Sequence, residues 1–99
     1  MSESFQGIGK PGGQILIVED EPDSALFFRA LLESEGLNAE VCSDGETALE
    51  RLASADFDLV LLDLILPGLS GWEVLSQIKD DGRLRYVPVV VLSALNDKP

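Results

Sequence analysis

Residues 59–68 read Leu-Val-Leu-Leu-Asp-Leu-Ile-Leu-Pro-Gly, and the fold turns on how that stretch is interpreted. Leu59-Val60-Leu61-Leu62 has no polar partner in alternate positions, so it reads as a strand covered on both faces, the habit of strands in parallel sheets. It stops on Asp63, a residue type depleted in strands, and Pro67-Gly68 then supplies a turn. Upstream, Ile15-Leu16-Ile17-Val18 repeats the pattern and stops on Glu19-Asp20-Glu21. Downstream, Val87 to Leu92, opened by Pro88, gives a further strand ending at Ser93. Ala39-Glu40-Val41-Cys42 is a shorter strand candidate.

Between the strands the apolar period becomes helical. Pro22 suits a first helical turn, Ala25, Phe28, Leu31 and Leu32 recur at helical spacing, and Gly36 caps the end in a left-handed conformation. Ser43-Asp44-Gly45-Glu46 reads as a capping box for a helix with Ala48, Leu49 and Leu52 inward. Ser70-Gly71-Trp72-Glu73 reads as another, with Val74, Leu75 and Ile78 inward. Strand and helix alternate, which predicts an α/β fold with a doubly wound parallel sheet and helices on both faces. Residues 1–13, with four glycines and no apolar period, read as a flexible leader.

The 99 residues suffice for one small core. Eighteen acidic against seven basic residues leave a net charge of −11, a field that repels nucleic-acid backbones and anionic membranes and attracts cations, so no direct nucleic-acid or membrane binding is expected. A lone Cys42 and the lack of a leading apolar run point to the cytoplasm.

Ligands of open parallel sheets gather beyond the carboxyl ends of the strands, where this sequence places Glu19-Asp20, Asp63 and Ser93. Right-handed crossovers put the first and third strands side by side, which brings Asp20 close to Asp63. Oxygen-only donors of this kind suit Mg²⁺, and the chain has no histidine. Each residue also has a plain structural reading: the acidic stretch can cap the first helix dipole, Asp63 can start a turn, and serine often ends a strand.

Taken together, the acidic pair after the first strand, Asp63 with Pro67 four and Gly71 eight residues onward, and Ser93 in Leu92-Ser93-Ala94 resemble the receiver domains of two-component response regulators. The resemblance runs from about Gln14 to Leu95 and implies a flavodoxin-like fold. It implies Asp63 as phosphoacceptor, and a Mg²⁺ site of Glu19, Asp20, Asp63 and the Ile65 backbone carbonyl. Ser93 becomes the hydroxyl that contacts the phosphoryl group. The implied partner is a histidine kinase or histidine phosphotransfer protein, the implied role is signalling rather than enzymatic, and an output domain is expected to follow.

The sequence departs from that family after the fourth strand. No further helix, strand and helix follow, and Lys98-Pro99, five residues after Ser93, lies too near to be the family's lysine-proline pair. The expected arrangement is therefore a receiver over residues 14–99, incomplete at its C-terminus. It should self-associate through the fourth-strand edge or the first helix. A phosphorylation-independent pseudo-receiver acting as an interaction module is the alternative. A haloacid-dehalogenase-type phosphatase would need an aspartate where Ile65 stands, and a nucleotide site would need glycines where Glu19-Asp20-Glu21-Pro22-Asp23 stands.

Overall fold

The computed structural model describes residues 12–92. They form β1 (Gln14–Val18), α1 (Pro22–Ser34), β2 (Asn38–Cys42), α2 (Gly45–Ser54), β3 (Leu59–Leu62), α3 (Gly71–Asp80), a 3-10 turn over Leu84–Tyr86, and β4 (Val89–Val91). The strands pair in parallel in the order β2-β1-β3-β4. This is the doubly wound sheet expected from the alternating apolar patterns.

Ile15, Leu16, Ile17 and Val18 have no exposed surface, which is why β1 carries no polar side chain after Gln14. Alternate residues point to opposite faces. Leu16, Val18, Val60 and Leu62 meet Ala48 and Leu52 of α2 and Val74 and Ile78 of α3, while Ile15, Ile17, Leu59 and Leu61 meet Leu32 and the half-buried Phe28 of α1. One helix thus covers one face and two helices cover the other. Each fully buried aliphatic side chain contributes about 1.5–3 kcal/mol.

The helix ends follow from local chemistry, with one correction. After α1, Gly36 sits at φ +85, its N–H donates to Glu33 O, and the Leu37 N–H donates to Leu32 O. That pair of bonds is a Schellman motif, sealed by Leu32 and Leu37 in one cluster. Ser70 caps α3 by accepting from the Glu73 N–H at 3.2 Å, as its capping box predicts. The cap of α2 is Asp44 rather than Ser43, accepting from the Thr47 N–H at 2.7 Å, because the helix starts one residue later than the box implies. Arg51 of α2 ties back to edge strand β2 by a bidentate pair with Glu40.

Leu31 is 45% exposed, because it lies about 100° around α1 from the buried Leu32. The bounds expected for the fourth strand are corrected. The last strand is shorter than Val87 to Leu92, since Val87 closes the 3-10 turn, and Val90 and Val91 are exposed along it. Leu26 and Phe27 of α1 are exposed as well.

Two substitutions test this packing. Ile78→Ala should cost about 2–5 kcal/mol in urea unfolding, as a large-to-small change at a fully buried position. Gly71 opens α3, where alanine has the better helix propensity, yet a Cβ there would lie 2.2 Å from the backbone oxygen of Asp63. Gly71→Ala is expected to destabilise by about 1–3 kcal/mol through overpacking, and a variant as stable as the parent would contradict the close approach.

Candidate functional site

The register of the central pair decides what meets at the carboxyl edge. Val18 lies opposite Leu62, so the next residues, Glu19 and Asp63, emerge from the sheet side by side. Their backbones continue the ladder, with the Asp63 N–H donating to Val18 O at 2.9 Å and the Glu19 N–H donating to Cys42 O at 3.0 Å. Both side chains are buried although both are carboxylic acids, and Asp20 beside them is exposed. One carboxylate oxygen from each of Glu19, Asp20 and Asp63 can be chosen so that all lie within 4.8 Å of one another.

Buried carboxylates require donors or a compensating charge. Asp63 Oδ1 accepts from the Ile65 N–H at 2.9 Å, and Glu19 Oε2 accepts from the Glu21 N–H at 3.1 Å. Those bonds do not offset the burial of Glu19. Desolvation, together with the charges of Asp63 and Asp20 and a side-chain hydrogen bond with Asp63, raises its pKa from the ordinary 4.5 to about 7. A carboxyl so perturbed beside two other carboxylates makes this strand edge a candidate functional site. Three hard oxygen donors around a common centre, with one facing solvent, fit a small divalent cation such as Mg²⁺.

The loop between β3 and α3 shapes the pocket. Leu64 and Leu66 are buried while Ile65 is half exposed, and with Leu62 fully buried on its other side Asp63 stands between anchored neighbours. Gly71 brings the start of α3 against the backbone of Asp63 and Leu64, and its N–H donates to Leu64 O at 3.0 Å.

Of the residues that sequence reasoning singled out, Glu19, Asp20 and Asp63 come together, and Ile65 adjoins them through its amide. Ser93 lies outside the described residues. Sequence reasoning missed the Ile65 N–H as the donor to Asp63. It also missed the spatial role of Gly45 and Gly71, whose contacts form only once the helices and the loop have packed. Cys42 ends β2 next to this edge but is buried, and desolvation first of all pushes its thiol up to about 11, so it stays protonated and unreactive near neutral pH.

Comparison with known proteins bears on the family and the fold. The family model described as the response regulator receiver domain matches residues 15–99. The transcriptional activator protein IrlR of Burkholderia pseudomallei is 39% identical over 84 residues, which is 85% of this chain and 35% of IrlR. The response regulator PleD of Caulobacter vibrioides is 35% identical over 86% of this chain and 19% of its own length, so the chain spans between a fifth and about a third of these relatives. Among solved structures, the receiver domain of the sensor histidine kinase PA1611 from Pseudomonas aeruginosa superimposes with a TM-score of 0.81 at 32% identity, covering 85% of this chain and 69% of that one. That structure has a magnesium ion coordinated in its active-site cleft. No described helix is long and apolar enough to cross a membrane. By sequence and by fold, the chain belongs to the response regulator receiver domains of two-component signalling.

Proposed function

We propose that this chain is a phosphoacceptor: it takes a phosphoryl group from the phosphohistidine of a kinase or phosphotransfer protein onto Asp63, in the cytoplasm, and thereby changes what it binds. The observation that carries this reading is the buried Asp63 carboxylate at the carboxyl edge of β3, held by the Ile65 amide and adjoining Glu19 and Asp20. A structural turn-starting aspartate has no need of two further carboxylates within reach of a common cation.

In this reading Glu19, Asp20, Asp63 and the Ile65 carbonyl hold Mg²⁺, which when bound neutralises the pocket and the charge developing on the phosphoryl oxygens. The Ile65 N–H fixes the rotation of the acceptor carboxylate. One Asp63 oxygen attacks phosphorus in line, the bond from phosphorus to the histidine nitrogen breaks, and the imidazole keeps the electron pair. The product is an acyl phosphate on Asp63. Ser93 donates its hydroxyl hydrogen to a phosphoryl oxygen. The relatives extend well beyond the matched segment, in keeping with an output domain elsewhere in the full protein.

Incubation with Mg²⁺ and acetyl phosphate should add one phosphoryl group, seen by intact-mass spectrometry, and Asp63→Asn should abolish the addition. A folded wild-type chain that accepts none and shows no Mg²⁺-dependent binding of beryllofluoride would instead support the phosphorylation-independent interaction module.

The Glu19 shift gives a pH signature. Without metal, its folded pKa of about 7 exceeds the ordinary 4.5, so the folded state holds a proton the unfolded chain has released, and stability falls as pH rises across that window. Glu40, lowered by Arg51, and Asp44 and Asp81, lowered by backbone N–H donors, act oppositely and lose stability as pH falls through the acidic range. Thermal melts without metal should therefore peak near pH 5 and decline toward pH 8. Mg²⁺ should remove most of that decline, and Asp63→Asn should raise the metal-free Tm at pH 8 by about 4–8 °C for each kcal/mol of repulsion relieved. A metal-free Tm that climbs from pH 5 to 8 would contradict the pocket electrostatics.

A further inference from the structure

Gly45 opens α2 on a different element from every residue assigned to the site, and the space around it is closed. A Cβ there would lie 2.7 Å from Val74 Cγ2 and 2.9 Å from the backbone oxygen of Leu69, both too close to be tolerated without movement. Its φ is not positive, so the backbone conformation does not demand glycine. The demand comes from Leu69 and Val74. Leu69 belongs to the loop from Leu64 to Ser70 that leads out of Asp63 and carries the Ile65 amide.

That loop is gripped at two points, by Gly71 against Asp63 and Leu64 and by Gly45 against Leu69. Between them Gly68 makes its turn at φ +68 with the Glu46 carboxylate alongside. The gripping turn of α2 is itself fixed: Asp44 Oδ1 accepts from the Thr47 N–H at 2.7 Å, and Ala48 is fully buried beneath it. An α2 start that cannot yield therefore sets where Leu69, and with it the loop, can lie.

We propose that Gly45 is a positioning residue for phosphoryl transfer: by admitting the Leu69 carbonyl against α2, it holds the β3–α3 loop where the Ile65 N–H meets Asp63 Oδ1. The inference deepens the phosphoacceptor reading and rests on it for its consequence, but the geometry it asserts can be read without any phosphoryl donor. Gly45 touches no reacting group. Its effect passes through Leu69 and the loop to Asp63.

The test compares Gly45→Ala, the double variant Gly45→Ala with Val74→Ala, and Leu52→Ala as a control that weakens the α2 core without crowding the loop. Each is followed by thermal melting, by the amide chemical shift of Ile65, and by the rate of labelling with acetyl phosphate and Mg²⁺ at a temperature where all are folded. Gly45→Ala should shift the Ile65 amide and slow labelling by about tenfold or more, as small misplacements of reacting groups do. Trimming Val74 relieves one of the two clashes, so the double variant should regain Tm and keep the displaced amide and the slow rate. Leu52→Ala should lower Tm while leaving both unchanged. An Ile65 amide and a labelling rate in Gly45→Ala that match wild type, or that recover together with Tm in the double variant, would overturn the proposal and leave Gly45 a packing residue. Should the wild-type chain take no phosphoryl group at all, the phosphoacceptor reading fails by itself, and the Ile65 amide still decides whether Gly45 sets the loop.

Discussion

Like charges forced together by strand pairing are the constraint on which the site depends. Once Val18 lies opposite Leu62, Glu19 and Asp63 have no choice but to leave the sheet as neighbours, with Asp20 one residue on. The aliphatic residues behind them are wholly buried and cannot slide to relieve the contact, because a one-residue slip would exchange the two faces of the sheet. Burial first of all, and then the neighbouring acids, push the Glu19 carboxyl up to about 7. In the proposed reading, a cation held by the three carboxylates would relieve that repulsion.

The cost is met by an otherwise consistent core. Both faces of β1 and β3 are covered, the helices end on a Schellman motif and side-chain caps, and charged residues away from the pocket find partners such as Glu40 with Arg51. A local departure from good electrostatics at the edge of an otherwise well-covered core is the pattern expected where function has been placed on a fold. The loop after Asp63 shows the same division. Leu64 and Leu66 secure it from below while Ile65 faces outward with its amide on the Asp63 carboxylate.

The central strands and the three carboxylates were legible in the sequence because both signals are local: a run of four aliphatics needs covering on two faces, and an acid that ends such a run has nowhere to go but the strand end. The bounds of β4 were less legible, since Val87 is apolar whether it lies in a strand or closes a 3-10 turn. The α2 cap slipped from Ser43 to Asp44 because two good capping residues stand together. Nothing local could have announced the contacts of Gly45 with Leu69 or of Gly71 with Asp63, which exist only after helices and loop have packed. Ser93, named from its place after the fourth strand, lies outside the described residues, and its role rests on the resemblance alone.

The central claim is that the three carboxylates act as one cation site, and calorimetric titration of the chain with Mg²⁺ at pH 8 tests it most directly. The account predicts one saturable site per chain, weakened at least about tenfold by Asp20→Asn and by Asp63→Asn, since each removes a charged ligand. Absence of saturable binding, or affinity that survives both substitutions, would contradict it.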